Sequence, residues 1–94
     1  MKYLKVVWHH DFPGEPVTLF SEIDEERYEV RKVEVYRDGR HEFASEVTST
    51  GATMLGEIET PSIEELAEQE EFTPTEIDHQ EFETVWRRAT RGKP

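Results

Sequence analysis

The sequence predicts an α+β fold: a four- to five-stranded, mainly antiparallel sheet with two C-terminal helices packed on one face. Three observations predict it. Apolar and polar residues alternate with period two in several short runs rich in Val and Tyr. Asp38-Gly39 stands between two such runs, where a tight hairpin turn needs residues that accept positive φ. From Ser62 onward the spacing changes to the helical period, with an N-cap signal ahead of each stretch.

Residues 2–10 read as the first strand, with Leu4, Val6 and Trp8 pointing to the core. Pro13-Gly14 has the chemistry of a type II turn, and Pro16 is expected to keep that loop out of the sheet. Val17, Leu19 and Ile23 fall at even spacing and mark a second strand, which the charged run 24–27 ends. Residues 28–36 and 41–47 form the arms of the hairpin, and the sequence implies a two-residue type I′ loop between them. The first arm changes phase, with Tyr28 and Val30 on one face and Val33 and Val35 on the other, so it either carries a bulge or is covered on both faces. A short strand over 53–58 is a weaker expectation, because Gly56 interrupts it.

Ser62 with Glu65 three residues on is a capping box and starts a short helix through Ala67. Residues 72–77 are extended, and Pro74 restricts them to a sheet edge or a loop. Asp78 caps the last helix, and Ile77 can meet Phe82 across the cap as a hydrophobic staple. Phe82, Val85, Trp86 and Ala89 recur at i, i+3, i+4 and i+7, an apolar stripe that must lie on the sheet. The expected seat is the Leu4, Val6 and Trp8 face. Carboxylates at the first turn and Arg87, Arg88 and Arg91 at the last complement the helix dipole.

Ninety-four residues read as a single globular domain over 1–91 with a flexible tail at 92–94. A chain this size buries only about 60–65% of the surface exposed when unfolded, so its core is small. The absence of cysteine excludes disulfides and thiolate chemistry and fits a cytoplasmic location. No run is long and apolar enough for a secretory signal or a membrane span. The formal net charge is −11, which argues against nucleic acid, since phosphate binding depends on Lys and Arg displacing counterions. Nine carboxylates and no Lys or Arg lie between Glu64 and Glu83, so this stretch must face water or a cationic partner.

The remaining candidates for chemistry are sparse. His9, His10 and Asp11 suggest a metal or general-base site, but adjacent strand residues point to opposite faces and cannot chelate one ion. Together with His41, Thr50 and Gly51 they define a possible ligand site. Gly51 and Gly56 have the gap of a phosphate-binding loop, yet Glu57 and Ile58 stand where that motif requires Lys and a hydroxyl. His79 and Glu83 are one turn apart, which a helix-start role explains. Arg27, Arg31, Lys32, Arg37 and Arg40 are interleaved with Glu29, Glu34 and Asp38, the pattern of cross-strand ion pairs on solvated faces. No G-x-S-x-G elbow occurs, and we expect no metal and no cofactor.

The runs WHHDFPGEP, SEID, EVRKVEVYRDGR and STGATMLGE, followed by Ile63-Glu64-Glu65-Leu66, Phe72, Pro74, Ile77 and Phe82-Glu83-Thr84-Val85-Trp86, carry a likeness over nearly the whole chain. In these the chain resembles a family of short bacterial, largely actinobacterial proteins catalogued as domain of unknown function 6881. That resemblance implies one domain without an appended module and brings no activity with it. From the residues, the leading expectation is a non-enzymatic interaction module, immunity- or inhibitor-like, present as a monomer or weak dimer. Its surface at Glu64, Glu65, Glu68, Glu70, Glu71 and Glu76 would dock on a basic protein. The alternative is a small-ligand-binding or enzymatic domain that uses His9, His10, Asp11, His41, Thr50 and Gly51.

Overall fold

Five strands and two helices follow in the order β1 (Lys2–Trp8), β2 (Pro16–Ile23), β3 (Glu29–Tyr36), β4 (His41–Ser45), α1 (Ile63–Ala67), β5 (Phe72–Ile77) and α2 (His79–Thr90). The computed structural model describes residues 1–91, and the expected tail at 92–94 lies outside the described residues. The strands form one sheet in the order β4-β3-β2-β1-β5, and every neighbouring pair is antiparallel. The α+β class and the mainly antiparallel sheet are therefore as the periodicity predicts, but only α2 is C-terminal: β5 follows α1, and α1 lies on the Leu4 and Ile23 side of the sheet, opposite α2.

Local chemistry makes the connections. Gly14 has φ +84, the left-handed value that the third residue of a type II turn requires. Pro16 does not stay outside the sheet; it is the first residue of β2, a place where a missing N–H is tolerated. Between β2 and β3 the carboxylate of Asp24 accepts from the backbone N–H groups of Glu26 and Tyr28, closing a tight turn around Arg27. The β3–β4 turn is not type I′. Gly39 has φ +91, whereas Asp38 is not in the left-handed region, and the N–H of Gly39 bonds Tyr36 O while the N–H of Tyr36 bonds Arg40 O. This is the three-residue loop, a type I turn closed by a left-handed glycine, which places one positive φ where type I′ demands two.

The phase change in β3 is a bulge: Glu22 pairs with Arg31 and Ile23 with Glu29, leaving Val30 as the extra residue. The strand expected over 53–58 does not form. That segment gives its polar groups to side chains of β3 instead: Thr53 donates to Glu34 at 2.6 Å, Gly56 N–H to Glu29, and Lys32 donates to Met54 O at 3.0 Å. The fifth strand is 72–77, paired with β1 so that Val6 faces Pro74. His9 N–H bonds Glu71 O, and with alternating antiparallel bonds Pro74 then falls at a position whose nitrogen faces away from β1. A proline therefore costs no ladder bond there.

Both caps form as the sequence implies. Ser62 and Glu65 exchange the two bonds of the capping box, and Asp78 accepts from Glu81 N–H at 2.7 Å. The stripe of α2 covers the sheet, but on the opposite face from the one expected. Phe82 and Ala89 pack with Phe20, Val33 and Phe43, while Tyr3, Val35, Ile77, Val85 and Trp86 close around them. Leu4, Val6 and Trp8 point the other way. The reason is that β1 is apolar at both parities, so period two does not say which face a helix takes. Phe20, Val33 and Phe43 align across three strands and offer the larger continuous patch. Leu4 and Ile23, away from α2, are covered from the α1 side, where they share a cavity with Ile63.

Phe82 is fully buried, with 0% exposure, at the centre of this packing. Phe82→Ala should cost about 3–5 kcal/mol, a large share of the roughly 5–15 kcal/mol that holds such a domain. Chemical denaturation checks this; a midpoint near that of the parent would mean that α2 does not dock on Phe20, Val33 and Phe43.

Candidate functional site

The acidic stretch runs along one edge of the sheet through α1, the connection at 68–71, the edge strand β5 and the cap and first turn of α2. Glu64, Glu65, Glu68, Glu70, Glu71, Glu76, Asp78 and Glu81 are all exposed. Among the described residues none of these eight forms an ion pair with Lys or Arg. Some have structural duties as well. Glu65 completes the capping box, Asp78 caps α2, and Glu71 accepts from Trp8 Nε1 at 3.2 Å. Glu83, the ninth carboxylate, leaves the acidic surface; it is half-buried and pairs with Arg31.

An aromatic shelf adjoins the start of β5. Trp8 lies 4.1 Å from the His10 ring, 6.2 Å from Phe12 and 6.3 Å from Phe72, centroid to centroid. Phe12 stacks on His10 and remains 58% exposed. Through the Trp8–Glu71 bond this apolar surface is continuous with the carboxylate edge, a combination of aromatic anchor and charged rim that interfaces use.

The histidines are spent on structure. His9 Nε2 bonds Thr73 Oγ1 at 2.8 Å, tying β1 to β5. His10 Nδ1 accepts from Phe12 N–H at 2.9 Å, which fixes the tautomer in which Nε2–H donates to Pro16 O at 2.8 Å. Both its nitrogens are engaged, so the ring offers no lone pair to a metal. Asp11 lines a cleft with Gly14, Tyr36 and Arg37, whereas His41 lines a separate one with Lys5, Val85 and Arg88. Thr50 Oγ1 accepts from Phe43 N–H at 2.9 Å, and Gly51, at φ +57, passes so close to Glu42 that a Cβ would stand 3.1 Å from its carboxyl carbon. The six residues of the possible ligand site are thus distributed over different parts of the molecule. Among the described residues no group of three His, Asp or Glu is arranged to hold a metal ion, and no helix is long and apolar enough to cross a membrane.

A family model matches residues 2–91, from the first residue of β1 to the end of α2. The chain belongs to the family described as Domain of unknown function (DUF6881). No curated protein and no solved structure matches it. The DUF6881 region includes the acidic edge, the aromatic shelf and the ion cluster beneath α2.

That ion cluster is the feature that sequence reasoning placed on a solvated face. In this DUF6881 chain Arg31 Nε and Nη2 fork onto Glu22 at 2.6 and 3.0 Å, and Nη2 also bonds Glu83 of α2. Its guanidinium lies 5.0 Å from the ring centroids of both Phe82 and Trp86. The available signal was parity: Arg31 shares its face with Val33 and Val35, which must be the covered one if those valines are buried. Hydrogen bonds from Arg31 hold the Glu22 carboxyl below the usual carboxylate range, outweighing the opposite effect of burial. Burial and then the neighbouring Glu22 raise the Tyr3 hydroxyl above its ordinary value.

A depressed folded pKa means that Glu22 contributes stability fully above its unfolded value, about 4.3, and loses it as pH falls through the lower folded value. Arg31→Met leaves Glu22 buried without its cation and should cost on the order of 3 kcal/mol at neutral pH. The deficit should shrink on acidification to about pH 3, where protonation relieves the stranded carboxylate. Thermal melts of both proteins across that range test the sign; a deficit that grows in acid contradicts this account. Titration with zinc is expected to leave Tm unchanged, and a stoichiometric rise abolished by His9→Ala or His10→Ala would show otherwise.

Proposed function

We propose that the protein is a non-enzymatic interaction module of the bacterial cytoplasm, immunity- or inhibitor-like, whose acidic edge docks on a basic protein. The observation that carries this reading is the row of eight exposed carboxylates on α1, the connection at 68–71, β5 and the start of α2, without Lys or Arg ion pairs among the described residues. Such a row repels itself, and a cationic surface removes that repulsion while its field accelerates encounter. Trp8 and the exposed Phe12 add an apolar anchor beside the charged rim. Solubility alone would favour carboxylates but would not call for the adjoining aromatic shelf.

The sheet edges support a monomeric or weakly dimeric state. Ser49 bridges to Ala44 and Thr50 N–H bonds Phe43 O, so the β4 edge is partly covered. Pro74 deprives the β5 edge of a donor where a further strand would need one. A small-ligand or enzymatic role around His9, His10, Asp11, His41, Thr50 and Gly51 has less support, because His9, His10 and Thr50 make structural hydrogen bonds and Asp11 and His41 line separate clefts.

Reversing Glu68 and Glu70 to Lys changes the field of the edge and leaves the caps and the Trp8–Glu71 bond in place. Association with the cationic protein that the parent captures should slow by about tenfold or more, and the parent rate should itself fall as salt rises. Tm should be unchanged. Retention of the partner at an unaltered rate by the reversed protein would refute the acidic edge as the docking surface.

A further inference from the structure

A cavity of about 240 Å³ lies between the first strands and α1. Its floor is apolar, made by Leu4 at 4% exposure, Ile23 at 1% and the side chain of Ile63. Its rim carries charges of both signs, Lys2 and Arg27 against Glu64 and Glu76. Among the described residues neither cation comes within 4.0 Å of a carboxylate, and neither carboxylate comes within that distance of a cation. Four opposite charges therefore share one rim without closing on one another.

Arg27 is also the most constrained residue here. It is the one non-glycine residue with positive φ among those described, at +72, a left-handed conformation that L side chains rarely adopt. Its guanidinium is clamped by backbone carbonyls: Nε donates to Thr60 O at 2.8 Å and Nη2 to Pro61 O at 2.7 Å. Two of its nitrogens are thus anchored by neutral acceptors, and among the described residues its positive charge forms no ion pair. A rigid guanidinium with spare donors is suited to a carboxylate.

We infer that this cavity binds a free α-amino acid with an aliphatic side chain. Its carboxylate meets Arg27 and Lys2, its ammonium meets Glu64 and Glu76, and its side chain rests on Leu4, Ile23 and Ile63. An internal peptide residue brings neither terminal charge, and a purely anionic ligand leaves two carboxylates facing it unpaired. The volume is below the roughly 300–1,000 Å³ of drug-sized sites, which limits the ligand to about the size of an amino acid. This site is independent of the docking reading, although Glu64 and Glu76 belong to both surfaces.

The test uses the full chain and L-leucine at millimolar concentration, with isocaproate, which lacks the ammonium, and isoamylamine, which lacks the carboxylate. Leucine should raise Tm and shift the methyl resonances of Leu4, Ile23 and Ile63, and each analogue should bind at least about tenfold more weakly, the loss of one charged contact. Glu76→Gln and Lys2→Gln should each weaken leucine binding several-fold without lowering the Tm of the free protein. The Glu68→Lys, Glu70→Lys protein should bind leucine as the parent does, which separates this inference from the docking one. No shift with leucine, equal binding of either analogue, methyl shifts confined to another part of the molecule, or full binding by Glu76→Gln would each overturn it.

Discussion

The Arg31 guanidinium is the interaction on which the arrangement of this molecule depends. It joins β2 through Glu22 to α2 through Glu83, and it lies 5.0 Å from the ring centroids of Phe82 and Trp86, which also belong to the apolar stripe of the helix. A helix carrying only an apolar stripe can slide or rotate on a sheet at modest cost. A forked, directional ion pair at the stripe's margin gives one registration the full set of hydrogen bonds and leaves others with a buried carboxylate unpaired. The bulge at Val30 belongs to the same constraint. It keeps Arg31 on the α2 side while turning Glu29 to the other face, where that carboxylate accepts from Ser21 and from the 46–61 loop.

The other face of the sheet is closed differently. Leu4 and Ile23 supply a small apolar floor, but much of the covering segment is irregular and held by polar side chains of β3: Glu29, Lys32 and Glu34. Backbone without secondary structure has to find partners for its N–H and C=O groups, and a strand face with alternating charged side chains provides them. No buried side-chain polar atom among the described residues is left without a partner, so this polar closure is complete. A chain with 35% charged residues and a small core achieves order here through satisfied polar contacts as well as burial.

Charge is partitioned accordingly. Arg27, Arg31 and Lys32 are drawn inward onto carbonyls or carboxylates of the sheet and its loops, and the exposed Arg37 bonds His10 O. The carboxylates of α1 and β5 are left outside and form no ion pair among the described residues, Lys2 and Arg27 approaching only Glu64 and Glu76 across the cavity, and that arrangement, more than the net value, creates the acidic edge. The aromatic shelf at Trp8 and Phe12 sits where β5 begins and joins the edge through one indole hydrogen bond.

What the sequence determined by itself was local. The caps at Ser62 and Asp78, the turns at Gly14 and Gly39, the extended run through Pro74 and the stripe of α2 all depend on residues a few positions apart, and the chain carries their chemistry in plain order. The α+β class follows from those elements, as does the exposure of the Glu64–Glu81 carboxylates, because a long acidic run cannot be buried. The tertiary structure decided which face α2 covers, since β1 is apolar on both sides and β2 and β3 broke the tie. It also placed 72–77 beside β1, moved Glu83 out of the acidic row to an arginine 52 positions away, and clamped Arg27 on carbonyls more than thirty positions distant to shape the cavity at Leu4. Those outcomes come from contacts between distant segments competing for the same surface, and periodicity within any one segment holds no information about that competition.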